Sequence, residues 1–221
     1  MKNKYQYIIL SATILNFVAM LVAFTVLPNS VPVHFNLKGE VDRMGSPWLM
    51  LVLAIIPVLV ALGFLIEAIV RGENYKNRKV LNIIMTCITT LFIYISWIMF
   101  GISTCEVGLG EKAHFPFEIA ICVPLGILFM VMGNYMPVTK RNSTLGIKTR
   151  ATLSSENVWN KTHRFAGPVQ VVCGLAIIIS AIISTFVINW LVFVVLGISV
   201  LMSAVVPMVY AQILYNKEQK Q

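Results

Sequence analysis

Three histidines, four cysteines and nine carboxylates are the side chains in this sequence suited to catalysis or metal binding. His34 precedes Asp42 by eight residues with Glu40 between them, so an imidazole and carboxylates could meet in one loop. With His114 they would supply nitrogen and oxygen ligands of the kind a divalent ion takes. Nothing in the spacing demands such a site, and His163 belongs to a different loop, so no metal and no cofactor is expected. Cys87, Cys105, Cys122 and Cys173 show no CxxC spacing and read as isolated small apolar residues in helices. Cys105 and Cys122 fall toward one end of the spans, where a pairing is the alternative. There is no HExxH, no GxSxG and no GxxxxGK[ST]. The residue types point away from an enzyme.

The chemistry is concentrated in one polar loop, Gly133 to Gly167, which holds six Lys/Arg, namely Lys140, Arg141, Lys148, Arg150, Lys161 and Arg164. Asn142 to Thr149 contains Gly146 and reads as a turn. Ser154 reads as an N-cap for a short helix from Ser155 to about Phe165. On it Val158, Trp159, Thr162 and Phe165 share one face, and Glu156, Asn157, Lys161 and Arg164 the other. That pattern fits an interfacial amphipathic helix with a Trp at the lipid boundary, or a docking platform for a cytoplasmic protein. Gly167-Pro168 is expected to re-aim the chain into the next span.

A second loop, Leu27 to Pro47, alternates Val31, Val33 and Phe35 with Pro32, His34 and Asn36. This suits a short extended segment with one apolar face. Leu37-Lys38-Gly39 can turn, and Glu40 to Arg43 can run back. Two readings stand: a compact cap on the bilayer surface, or a recognition surface for something arriving from outside.

The elements that must position these loops are membrane helices. The chain is 58% hydrophobic and 12% charged, with a mean hydropathy of +0.83. Charges are absent between Lys4 and Lys38, Arg43 and Glu67, Lys79 and Glu106, and Glu118 and Lys140, and from Phe165 to Asn216. An apolar helix needs about 20 residues to cross a bilayer, and in lipid a helix satisfies its own backbone. Six spans follow: Ile8–Leu27, Trp48–Val70, Val80–Ser103, Glu118–Val138, Val169–Ile188 and Leu191–Leu214. The fold class is therefore all-α, a polytopic membrane helix bundle with a short extracellular cap (28–47) and an amphipathic cytoplasmic loop helix (139–167). Fourteen Lys/Arg fall on the side of the termini and three, Lys38, Arg43 and Lys112, on the other, which places both termini in the cytoplasm. The net charge of +8 then reflects topology and anionic lipid and gives no reason to invoke nucleic acid. The span cores carry no ionisable groups, unlike ion-coupled transporters; Asn16, Asn82, Asn134, Gln170 and Asn189 are the strongest polar groups, suited to interhelical hydrogen bonds.

The loop motifs resemble the SdpI family of bacterial membrane proteins. The matching residues are Gly133-Asn134, Lys140-Arg141-Asn142, Gly146-Ile147-Lys148-Thr149, Trp159-x-x-Thr162-His163-Arg164 and Gly167. The outer loop resembles the small domain of unknown function that often precedes this signature, in Leu27-Pro28, Val31-Pro32, His34-Phe35-Asn36, Gly39 and Asp42. A two-span N-terminal unit (1–75) and a four-span unit (76–221) follow from this likeness. Lys148 stands where family members commonly have Arg; Arg141 and Arg150 stand where they commonly have Pro, and these two replacements add charge and loosen the turn. The resemblance implies immunity against a secreted antimicrobial peptide toxin. It also implies a receptor role, in which a cytoplasmic winged-helix repressor is held at the membrane. On that basis His34, Asn36, Gly39 and Asp42 are candidates for toxin recognition. Asn134, Lys140, Arg141, Asn142, Gly146, Lys148, Thr149, Trp159, Thr162, His163 and Arg164 are candidates for the partner-docking motif. A signalling scaffold without protective activity is the alternative, ahead of a small-solute transporter or membrane enzyme.

Overall fold

A computed structural model describes residues 4–36, 41–72, 75–109, 117–187 and 190–220, without the side chains of 105–109 and 117. Gly39, Glu40, His114 and Asn189, together with the side chain of Cys105, lie outside the described residues. The chain forms α1 (Lys4–Ala23), β1 (Val31–Phe35), β2 (Val41–Gly45), α2 (Trp48–Arg71), α3 (Arg78–Leu109), α4 (Phe117–Tyr135), α5 (Arg150–Ser154), α6 (Glu156–Phe186) and α7 (Leu191–Glu218). Six of these helices are long and apolar enough to cross a membrane, and they coincide with the six expected spans to within a few residues except at the start of α6. Two compact units divide at residue 121/122.

In the first unit α1, α2 and α3 pack on one another, and polar side chains pin α1 to α3 at two levels. Gln6 Nε2 donates to Asn82 Oδ1 at 2.6 Å, and Trp97 Nε1 donates to Asn16 Oδ1 at 2.8 Å. Surrounded by apolar side chains and lipid, such bonds specify which faces meet, because an unpaired amide there costs several kcal/mol, about 4–8 in the extreme of a solvent that cannot hydrogen-bond. The alternation noted in the outer loop does produce a strand: β1 pairs antiparallel with β2, Val31 opposite Gly45 and Phe35 opposite Val41, with a register shift on each side of His34. Val31 and Pro32 are buried, while Asp42, Arg43 and Met44 are exposed. Gly45 is needed for space, since a Cβ there would lie 2.8 Å from a Val33 methyl.

In the second unit α4, α6 and α7 pack around Cys122, Ile177, Ala181 and Val192. Antiparallel α4 and α6 meet at two glycine pairs. A Cβ on Gly126 would sit 2.7 Å from the Gly174 carbonyl oxygen, and one on Gly133 would sit 2.7 Å from that of Gly167. Backbones this close gain dispersion along the seam, the usual solution where lipid removes any hydrophobic drive between helices. Gly167-Pro168 does not end the helix: α6 runs unbroken from Glu156 to Phe186. Proline there forfeits a single N–H bond and the helix continues, Gly167 being held against Gly133. The cap is Ser155 rather than Ser154, its Oγ accepting from the Val158 N–H at 3.3 Å.

Candidate functional site

The polar loop folds onto the N-terminal turns of α6 through a short chain of side chain to backbone bonds. Asn142 organises its first half. Its Oδ1 accepts from the N–H groups of Thr144 and Leu145, each at 2.7 Å, and its Nδ2 donates to the carbonyls of Lys140 (2.7 Å) and Leu145 (3.2 Å). An Asx turn of this kind replaces the ladder bonds the backbone lacks here. Thr149 then caps α5 in a reciprocal box with Thr152: the Thr152 N–H donates to Thr149 Oγ1 at 3.2 Å, and the Thr149 N–H to Thr152 Oγ1 at 2.9 Å. Thr152 Oγ1 also reaches the Ile147 carbonyl at 2.8 Å. Ala151 of α5 is buried against Val158 of α6 and Ala211 of α7.

Trp159 and His163 fasten the loop to the helix. Trp159 Nε1 donates to the Thr139 carbonyl at 2.8 Å. The ring of His163 stacks on Trp159, centroids 4.0 Å apart and planes 17° from parallel. Both side chains are fully buried. His163 Nδ1 donates to the Trp159 carbonyl at 2.8 Å, and Nε2 accepts from the Ile147 N–H at 3.1 Å. Because a carbonyl can only accept and an amide N–H only donate, this geometry selects the neutral tautomer protonated on Nδ1. Gly146 sits over the same ring in the left-handed region, φ +100°, and a Cβ on it would overlap His163 Nε2. The Gly146, Trp159 and His163 triplet is therefore one fastening rather than three independent contacts.

The structure thus separates the motif residues into two sets. Trp159, Thr162 and His163 are buried and Asn142, Gly146 and Thr149 are committed to the turn and caps, so these hold the fold of the loop. Asn134, Lys140, Arg141, Lys148 and Arg164 are exposed, as are Arg150 and Lys161. Arg141 reaches the Leu153 carbonyl at 3.3 Å and Lys148 the Thr144 carbonyl at 3.1 Å. Trp159 does not sit at a lipid boundary: its indole N–H finds its partner inside the loop fold. Sequence reading missed Thr139 and Thr152, which act as acceptor and cap, and Gly126 and Gly174. The glycines did carry a signal, a seven-residue spacing in both pairs (126 and 133, 167 and 174).

On the outer hairpin, His34 Nδ1 donates to Asp42 Oδ1 at 2.6 Å, both side chains about half exposed (54% and 43%). The hairpin register brings together His34 and Asp42, two of the four expected recognition residues, and Asn36 follows β1 directly. Among the described residues no group of three potential metal ligands gathers anywhere.

Six apolar membrane-length helices, a basic ordered loop and a small two-stranded hairpin define a multi-pass protein of the bacterial cell membrane. Residues 138–211 match the SdpI/YfhL protein family, and residues 12–61 match a domain of unknown function, DUF1648. The two matches lie in the order and at the places that the loop motifs led one to expect. It is 27% identical over 172 residues to the protein named Immunity protein SdpI of Bacillus subtilis (strain 168), covering 78% of this chain and 77% of that one. No solved structure matches.

Proposed function

We propose that this chain is an immunity protein, protecting the cell that makes it from a secreted antimicrobial peptide toxin met on the outer side of the membrane. The observation that carries the reading is the similarity to Immunity protein SdpI, which extends over 172 residues and is not confined to one loop. The hairpin supplies a surface suited to recognition: Asp42, Arg43 and Met44 project from β2, and the His34 to Asp42 bond fixes a polar pair at its centre. The test replaces His34, Asn36 and Asp42 by alanine, singly and together, and scores survival of a sensitive bacterium under toxin. Lost protection at unchanged membrane level supports the hairpin as the recognition surface; full protection in the triple variant refutes that assignment.

The exposed cations favour a second role, the holding of a cytoplasmic winged-helix repressor at the membrane. Lys140, Arg141 and Lys148 project from a loop whose backbone is tied down, so a partner would meet a fixed array of charge. Charge reversal at these three positions should release the repressor from membrane fractions. A wild-type chain that retains no repressor, with or without toxin, would count against this role.

A further inference from the structure

The lipid-facing side of α6 changes from apolar to cationic at a defined height. Val172, Leu175, Ile179, Ile182 and Phe186 are 46–81% exposed and follow one another at three- and four-residue steps, a single stripe along the helix. Continued toward the helix N-terminus by the same steps, the stripe passes Pro168 and arrives at Arg164 and Lys161, both exposed. At a rise of 1.5 Å per residue, Arg164 lies about 33 Å and Lys161 about 38 Å from Phe186 along the axis. A hydrocarbon layer about 30 Å thick, counted from Phe186, ends short of both cations and leaves them at headgroup height on the exposed face.

Independent markers in the second unit put the boundary at the same height. Phe165 of α6 packs against Tyr210 of α7 with the rings tilted by 36°, centroids 4.5 Å apart. The exposed stripe of α7, Leu201, Val205, Val209 and Ile213, turns polar at Asn216, to which Gln212 bonds at 2.9 Å. On α4, Gly133 lies against Gly167, and the exposed Asn134 follows it directly. The second unit carries eight Lys/Arg (140, 141, 148, 150, 161, 164, 217, 220) against two Glu (156, 218), all on the sequence flanks of these helices. Arg164 makes no side-chain hydrogen bond or ion pair to the described residues, and Lys161 has only a through-space attraction to Glu218.

From this placement we infer that Arg164 and Lys161 form a headgroup site for an anionic phospholipid, the guanidinium and ammonium meeting the phosphodiester while the acyl chains lie along Val172, Leu175 and Ile179. The inference rests on the membrane topology and not on the immunity reading. Arg supplies the planar fork suited to phosphate oxygens and Lys a mobile point charge. Two cations near a membrane surface give a preference for anionic over zwitterionic lipid of about 30-fold.

The test uses the full chain purified in neutral detergent and native mass spectrometry. Phosphatidylglycerol and phosphatidylcholine of identical acyl chains are titrated in separate arms. Wild type is expected to retain phosphatidylglycerol over phosphatidylcholine by about 30-fold. K161Q/R164Q should bring the two within about threefold, while K148Q/R150Q, which removes equal charge elsewhere in the loop, should leave the preference intact. K161R/R164K preserves charge and should retain most of it, separating loss of the site from loss of fold. An equal drop in K148Q/R150Q would show diffuse charge attraction and overturn the site. Displacement of the lipid by millimolar inorganic phosphate would overturn the lipid as its occupant. A wild type without preference would leave the cations for an acidic protein and overturn the proposal outright.

Discussion

Replacing Gly146 with alanine tests whether the loop is fastened as described. The new methyl group has two consequences. It places an L-residue at φ +100°, where the left-handed backbone costs roughly 1–2 kcal/mol. It also overlaps His163 Nε2, the atom that accepts from the Ile147 N–H. The imidazole cannot step aside within its own turn, because Nδ1 is bonded to the Trp159 carbonyl and the ring is stacked on Trp159. Breaking the Ile147 bond leaves a donor and an acceptor unpaired at a part-buried site, about 1–3 kcal/mol. Together the substitution should destabilise the closed loop by about 2–5 kcal/mol, or roughly 30-fold to a few thousand-fold in its opening equilibrium. Hydrogen exchange read by mass spectrometry on peptides spanning Ile147 to Leu153, with the protein in lipid nanodiscs, reports this opening directly. Gly72→Ala is the control: φ is +72° there, but nothing lies within 4 Å of the added Cβ, so only the backbone term applies and only the turn after α2 should loosen. Unchanged exchange across 147–153 in Gly146→Ala would refute the fastening.

Other substitutions follow from the same packing. Gly133→Ala should lower the folded yield and the melting temperature, because its Cβ meets the Gly167 carbonyl oxygen at 2.7 Å and the Val171 nitrogen at 2.9 Å, both backbone atoms that can yield only if the helices part. Gly197→Ala, with open space around it, should be neutral or stabilising by up to about 1 kcal/mol from helix propensity; both are read by thermal melts in one detergent. Trp159→Phe keeps the stack on His163 but strands the buried Thr139 carbonyl, a loss of about 1–3 kcal/mol, visible as faster proteolysis of the loop without loss of the spans.

The spans were legible because lipid imposes a demand that one residue window can test: about 20 apolar residues without charge. The hairpin was legible for a similarly local reason, the alternation of Val31, Val33 and Phe35. The start of α6 was only half legible. Its helical face is visible in Val158, Trp159 and Thr162, but Gly167-Pro168 reads as a break, whereas the packing of Gly167 on Gly133 carries the helix through. Burial of Trp159 was not legible, since a Trp near a basic residue suits the lipid boundary equally well until its indole partner, the Thr139 carbonyl twenty residues away, is known. The link from His163 to Ile147 spans sixteen residues and leaves no periodic trace. Gly146 could be assigned to a turn from its type, whereas its clash with His163 depends on a fold no spacing encodes. Exposure separated the motif into residues that build the loop and residues a partner can touch, a distinction invisible when Trp159 and Arg164 are read only as neighbours in one motif.

Protection of living cells tests the central claim most directly. The chain is expressed in a toxin-sensitive bacterium at a verified membrane level, a secreted antimicrobial peptide toxin is added, and membrane potential and colony count are followed together. Immunity predicts that potential and viability are retained in expressing cells and lost in cells carrying an empty vector. Death of both at equal rates, with the chain present in the membrane, would contradict the account.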